Sequence, residues 1–499
     1  MEDILLGVAS AFSWTNLLFC LIGVALGTLV GVLPGLGPVG AISMLLPITF
    51  AMEPTAALIL IAGIYFGGLY GGSTTSILVN VPGSAYSVVA AFDGYKMTQQ
   101  GRAGAALAMS AIASFFAGTI GIILMTFLAP PIASVALRFG PPEYFAIILL
   151  GLLVLSRLTD TSLIRSYLMI AGGIVLSIIG IDQMSGSLRL TFGQSWLIDG
   201  LDFTPILMGL YGLSEVITAM EKKHLKPINV DLSFRKLMPS KDELRRSTGP
   251  MTRGSFLGFL IGLIPGPAMI LSTYASYGLE KRLSKHPEKF GKGAIEGLAG
   301  PEAANNGASA GALVPLLSLG VPFSALPAIL LSAFIIQGIT PGPLMMTENP
   351  TVFWALITSM YIGNIMLLVL NLPLVGMFAS VARIPTRVLM PIVMIFCFVG
   401  AYSVRSNMFD VIVMIVFGLV GYLFRKAKLD PSPLVLGIIL GPMLETYLVQ
   451  STLIFKGDLT MFFTRPISGT MLTLGLLVTI MPPVYRWVKR KRAVKNSQQ

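Results

Sequence analysis

Charge is what this chain has least of. Only 11% of its 499 residues are Asp, Glu, Lys or Arg, against about 25% in a soluble globular protein. That scarcity excludes a soluble enzyme and a disordered chain. Cysteine is nearly missing too. Cys20 and Cys397 both lie in apolar stretches, which excludes a disulfide framework and a thiolate zinc site. Histidine is as rare: His224 and His286 are the only two, and both sit in charged stretches. No G-x-x-x-x-G-K-[ST] phosphate loop is present, so ATP hydrolysis by this chain is not expected. The start, Met1-Glu2-Asp3, lacks a basic n-region and does not read as a cleaved leader.

What remains is apolar. Hydrophobic residues make up 54% of the chain, with a mean hydropathy of +0.81, beside 53 Gly and 32 Pro. This is the composition of a protein solvated by lipid. Taking about 20 apolar residues per crossing, full spans are expected over 54–80, 103–130, 143–156, 162–181, 203–220, 303–340, 352–372, 388–404, 408–424, 432–452 and 468–488. Two further apolar stretches, 16–50 and 254–278, are broken by Gly and Pro at their middles and read as re-entrant hairpins. The expected fold is an all-α polytopic membrane protein with about eleven or twelve transmembrane helices plus these hairpins.

The net charge of +11 is spread as a membrane protein spreads it. Nine Lys and Arg fall in 222–253, five in 281–292 and six in 486–495. With the N-terminus outside and both hairpins returning, 29 basic residues lie in inside loops and five outside. That asymmetry favours a periplasmic N-terminus and a cytoplasmic C-terminus. No aromatic interleaving suggests a nucleic-acid surface; anionic lipid is the partner such clusters fit.

The two broken stretches resemble one another. Gly23-Val-Ala-Leu-Gly-Thr-Leu-Val-Gly-Val-Leu-Pro34-Gly35 aligns without gaps on Gly254-Ser-Phe-Leu-Gly-Phe-Leu-Ile-Gly-Leu-Ile-Pro265-Gly266, identical at seven of thirteen positions. Val81-Pro-Gly-Ser84-Ala85 against Val321-Pro-Phe-Ser324-Ala325 is a weaker echo. The charge pattern starts the copies on opposite sides, which is an inverted-topology repeat of the kind secondary transporters use. The organisation expected is a first repeat over 1–220, a basic cytoplasmic loop over 221–253, a second repeat with extra helices over 254–488, and a basic tail over 489–499. Glycines every fourth residue also serve plain helix packing. Packing leaves the prolines unexplained, and backbone freed at membrane depth must line a cavity or be buried.

Polar runs mark the candidate site. Gly71-Gly72-Ser73-Thr74-Thr75-Ser76 is followed by Asn80-Val-Pro82-Gly83-Ser84; the second run is Gly300-Pro301-Glu302-Ala-Ala-Asn305-Asn306-Gly307-Ala-Ser309. Uncharged oxygens suit a small cation, so Thr75, Ser76, Asn80, Asn306 and Ser309 are the expected Na⁺ ligands. A carboxylate needs N–H donors, which the breaks at Pro34-Gly35, Gly37 and Pro265-Gly266 can offer where proline interrupts the helix and frees the neighbouring backbone. Ser73, Thr74, Pro82, Gly83, Ser84, Asn305 and Asn306 complete the expected substrate contacts. The competing explanation is that each hydroxyl bonds back to its own helix and each Asn joins two helices. Glu302, at membrane depth, is a functional candidate by its placement alone. Glu215 is expected to pair with the Lys222–Lys223 helix end, Glu445 to be structural, and Asp93-Gly94 to form a turn. Gly307-Ala-Ser309-Ala-Gly311 matches G-x-S-x-G, but no His is placed to serve Ser309, so no enzyme is expected. A channel-like permease is the alternative to a carrier.

Several of these runs belong to one known pattern. Gly31-Val-Leu-Pro-Gly-Leu-Gly-Pro38, Gly71 to Gly83, Asp93-Gly-Tyr-Lys-Met97, Pro301-Glu-Ala-Ala-Asn-Asn306 and Gly320-Val-Pro322 resemble the large membrane subunit of tripartite tricarboxylate transporters, over roughly 16–488. The resemblance implies a carrier of the bacterial inner membrane that imports citrate or another tri- or dicarboxylate. It also implies a cation gradient, commonly Na⁺, with no other cofactor. A small membrane subunit and a periplasmic solute-binding protein are the implied partners.

Overall fold

The computed structural model describes residues 2–33, 37–80, 83–159, 162–182, 185–221, 238–374, 377, 386–479 and 481. These are almost wholly helical. In order they form α1 (Glu2–Ala11), α2 (Trp14–Val32), α3 (Gly37–Leu45), α4 (Pro54–Val79), α5 (Val88–Gln99), α6 (Ala103–Ala136), α7 (Pro141–Leu158) and α8 (Leu163–Ser177). Then come α9 (Phe203–Leu207), continued through a π turn at Met208–Leu213 into α10 (Ser214–Glu221), and α11 (Lys241–Gly262). Next are α12 (Ala268–Leu283), α13 (Glu296–Leu319), α14 (Ala325–Ile336), α15 (Pro350–Asn371), α16 (Thr386–Arg405), α17 (Met408–Lys426) and α18 (Ser432–Ile454).

Among the described residues, eight helical segments are long and apolar enough to cross a membrane: α2, α4, α6, α7, α9 with α10, α15, α17 and α18. The chain is a multi-pass membrane protein. Of the other expected spans, 388–404 forms the 20-residue helix α16, 162–181 and 303–340 are shortened or split, and the end of 468–488 lies outside the described residues. The run 303–340, expected as one span, is two helices, α13 and α14. Gly320, at φ +72, ends the first of them. Pro301 and Pro315 stay inside α13. Helix α8 has 15 residues, about 22 Å of rise, short of a hydrocarbon core of about 30 Å. Helix α2 is a full-length candidate in its own right, although it falls in a stretch expected as one arm of a hairpin.

The chain divides into two compact units. The first holds Met1–Leu137, Asp202–Ile264 and Ala268–Ala427; the second holds Arg138–Leu201, Pro265–Pro267 and Lys428–Gln499. In the second, α18 packs on α7 and α8, and Gly173 and Gly437 let the α8 and α18 backbones meet closely. Arg465 pairs there with buried Glu143 at 2.8 Å, and Arg189 with Asp182 at 2.8 Å and with Glu445.

The first unit is built around α4 and α13, which are buried on every side. Their close neighbours are brought in by glycine. A Cβ added at Gly23, Gly27 or Gly31 of α2 would meet the carbonyl oxygens of Leu60, Ile64 and Gly68 of α4 at 2.4–2.5 Å. A Cβ at Gly254, Gly258 or Gly262 of α11 would meet those of Gly300, Ala304 and Ala308 of α13 at 2.1–2.4 Å. Packing therefore accounts for both glycine ladders, as small-xxx-small spacing does in lipid. The helix ends match as well. Asn80, at φ +56, terminates α4 as Gly320 terminates α13. Four residues on, Ser84 (φ −157, ψ 164) and Ser324 (φ −153, ψ 166) stand extended before the next helical segment.

Candidate functional site

Helix α13 carries Glu302, Asn305, Asn306 and Ser309 at spacings i, i+3, i+4 and i+7, which place them on one face. In lipid such a face would be ruinous. Here all four are buried, enclosed by helices including α4, α6, α11 and α12. Ser73 of α4 donates its hydroxyl to Glu302 Oε1 at 2.6 Å, and Ser114 of α6 reaches Oε2 at 3.4 Å. Asn306 Nδ2 donates to Ser114 Oγ at 2.8 Å and to the Glu302 carbonyl at 3.1 Å. Three helices thus meet on one carboxylate.

The same band continues along the helices. Tyr65 of α4 donates to the Ser309 carbonyl at 2.9 Å, and Ser309 Oγ to the Asn306 carbonyl at 2.7 Å. Tyr70 donates to Asn364 Oδ1 of α15 at 2.9 Å. Asn364 Nδ2 then reaches the Phe115 carbonyl and Thr119 Oγ1 of α6 at 2.9 and 3.0 Å. Three buried amide atoms find no hydrogen-bond partner among the described residues: Asn306 Oδ1, and both Oδ1 and Nδ2 of Asn305. A buried polar atom left so costs about 1–3 kcal/mol.

The expected site residues do not all gather here. Ser73, Asn305, Asn306 and Ser309 do, and Thr74 is buried beside Ser73 on α4. Thr75 and Ser76 instead turn back to the Gly72 carbonyl at 3.4 and 3.2 Å, and Ser76 also bonds Ser87. Asn80 is exposed and lines a separate cleft of about 410 Å³ with Phe92, Lys96, Tyr277 and Lys281. A Cβ added at Gly37 (φ +57) would lie 3.9 Å from both Gly83 and Ser84, so the starts of α3 and of the segment leading to α5 converge. Gly83 in turn rests against Gly31 and Gly72, where a Cβ would stand only 2.8–2.9 Å from their backbones and no side chain fits. Pro265 and Gly266 belong to the second unit, where Gly266 (φ +138) abuts Leu158. Pro34, Gly35 and Pro82 lie outside the described residues.

The acidic residues are also redistributed. Asp93 and Gly94 form no turn; both lie inside α5. The Asp93 carboxylate accepts the N–H groups of Gly291, Gly293 and Ala294 at 2.7–2.9 Å and the Tyr277 hydroxyl at 3.0 Å. Glu215 is buried and paired with Arg425 of α17, a partner far along the chain from Lys222 and Lys223. Sequence reasoning misses Ser114 and Asn364; their one signal is a polar residue alone in an apolar run.

A family model described as "Tripartite tricarboxylate transporter TctA family" matches residues 17–436. An uncharacterised 52.8 kDa protein in the TAR-I ttuC' 3' region of Agrobacterium vitis is 46% identical over 487 residues, 97% of each chain. An uncharacterised protein in the TAR-II ttuC' 3' region of the same organism is 48% identical over 224 residues, which is 45% of this chain and 93% of that one. No solved structure matches.

Proposed function

Since the chain belongs to the tripartite tricarboxylate transporter TctA family, we propose that it imports a small tri- or dicarboxylate across the bacterial inner membrane, driven by a Na⁺ gradient. A small membrane subunit and a periplasmic solute-binding protein complete the system. The observation that carries this reading is the buried polar band on α4, α6 and α13, with its carboxylate and its unpartnered amides. Lipid-facing helices gain nothing from such a band. A translocation site needs one.

Each group then has a task. The starts of α3 at Gly37 and of the segment after Ser84 converge; the Ser84 N–H is taken by Ser87, and the first-turn N–H groups beyond it suit a substrate carboxylate. The polar band beside them takes the coupling cation. The cleft with Lys96, Lys281 and Asn80 lies at the end of α4, seven residues beyond Ser73, or about 10 Å of helix rise. Its two ammonium groups suit an anion leaving toward the basic, cytoplasmic side.

The test is uptake of labelled carboxylates into proteoliposomes holding both membrane subunits. Saturable uptake is expected, dependent on an inward Na⁺ gradient and on binding protein supplied to the outer face. Full uptake without the binding protein, or flux that does not saturate, would favour a channel-like permease and refute the carrier.

A further inference from the structure

Six Asp and Glu side chains are buried among the described residues: Asp93, Glu143, Glu215, Glu280, Glu302 and Asp410. Five are compensated. Glu143 has Arg465, Glu215 has Arg425, Glu280 has Arg253 and Asp410 has Arg405. Asp93 takes three backbone N–H groups and a tyrosine hydroxyl. Glu302 has only neutral partners, the hydroxyls of Ser73, Ser110 and Ser114, and among the described residues no basic side chain pairs with it.

A carboxylate buried in that way is costly unless a positive charge joins it. Two species could supply the charge, a proton or a metal cation, and the surroundings separate them. A proton on Glu302 satisfies the carboxyl alone and leaves Asn306 Oδ1 unpaired. A small hard cation uses that oxygen. It also uses both carboxylate oxygens and the hydroxyl oxygens of Ser73 and Ser114, five oxygens drawn from three helices. One negative ligand among neutral ones suits a single positive charge better than two.

We propose that Glu302, Ser73, Ser114 and Asn306 form the site of one sodium ion, with Glu302 as its counter-charge. This rests on the carrier reading for its purpose and on the geometry for its composition. It replaces the charge-free set of Thr75, Ser76, Asn80, Asn306 and Ser309: Thr75 and Ser76 bond back to their own helix, Asn80 stands in the separate cleft, Ser309 bonds the Asn306 carbonyl, and only Asn306 is kept. With the ion bound the band is neutral. Without it a bare charge stays buried, so ion occupancy biases which arrangement of the surrounding helices is stable.

Sodium binding can be measured with no substrate present. The full chain, purified with its small subunit, is heated in rising NaCl against choline chloride at constant ionic strength, and ²²Na⁺ binding is counted in parallel. The expected result is a saturable, sodium-specific rise in Tm for the wild type. Glu302→Gln should abolish that rise and weaken ²²Na⁺ binding at least about 100-fold, while its Tm in choline equals or exceeds the wild-type value. Asn306→Ala should weaken binding by about tenfold. A Glu302→Gln curve identical to wild type overturns the proposal, as does a wild-type Tm that ignores sodium and follows pH alone. Sodium binding that passes this test in a protein lacking sodium-driven uptake would sink the carrier reading and leave the site standing.

Discussion

Gly258→Ala puts the central packing of the first unit to a direct trial. The new methyl carbon would stand 2.1 Å from the Ala304 carbonyl oxygen and 2.8 Å from its carbonyl carbon. A comfortable C···O approach is about 3.3 Å, so α11 must retreat from α13 by about 1.2 Å at this point. The retreat is shared, because Gly254 and Gly262 hold the same two helices at equally close range one turn to either side. A radial gap of about 0.5–1 Å already forfeits a quarter to a half of each dispersion contact. Overpacking of this kind costs about 1–3 kcal/mol. Alanine is the better helix former by about 1 kcal/mol, which acts the other way. Gly278→Ala on α12 isolates that second effect, since nothing lies within 4 Å of its Cβ position. The propensity gain is common to both, so the two variants should differ by the overpacking cost alone, about 1–3 kcal/mol. Thermal denaturation in detergent, on one heating ramp and read by size-exclusion chromatography, measures the difference, with membrane abundance as a second readout. Gly258→Ala should melt several degrees lower than Gly278→Ala and accumulate poorly. Equal melting of the two would refute the close contact of α11 on α13.

Asp93→Asn keeps the shape at Asp93 and removes the charge that three backbone N–H groups and Tyr277 address; a loss of about 1–3 kcal/mol is expected in the same melting assay, and an unchanged Tm would count against this role. In a background lacking Cys20 and Cys397, Ser284→Cys should resist an impermeant thiol reagent applied from the periplasm, because 281–292 is placed inside by charge; rapid labelling would reject that topology. Thr75→Ala should leave the sodium dependence of initial uptake unchanged, since Thr75 bonds its own helix, whereas Asn306→Ala should raise the sodium requirement. Matching curves for the two variants would dissolve the distinction drawn between them.

Part of this arrangement is legible in the sequence. Glycine at every fourth position of 23–31 and 254–262 announces close helix contact, because spacing along a helix is a local property. The polar residues of 302–309 stand out for the same reason, four of them sharing one face of an apolar helix. What spacing cannot reveal is the partner. Ser73 and Glu302 are 229 residues apart, and nothing local in either run names the other. The same blindness hides Ser114 and Asn364, since one Ser or Asn in an apolar helix is ordinary helix glue. It also makes Thr75 and Ser76 look equal to Ser73, although a turn of about 100° between neighbours sends one hydroxyl across to α13 and the others back to Gly72. Propensity misleads at Asp93-Gly94: the dipeptide favours turns, but here the carboxylate serves amides contributed by 291–294, and that gain fixes it within α5.

The distribution of charge carries the argument one step further than either residue type or spacing. A membrane protein that keeps so few acids and buries six of them among the described residues has to answer for each. Four answers are arginines, and three of these hold their acid from a distant segment: Arg465 to Glu143, Arg425 to Glu215 and Arg253 to Glu280. Such pairs fasten elements together and stay fastened, because separating them strands a charge in low dielectric. Asp93 is held as firmly by backbone. Glu302 is surrounded by hydroxyls and amides instead, groups that release a small ion far more readily than a guanidinium releases a carboxylate. A fixed pair suits a scaffold, and a releasable counter-charge suits a cycle. Arginine stands at four buried acids and, among the described residues, not at Glu302, and that contrast is the ground for proposing Glu302 as the place where a cation exchanges.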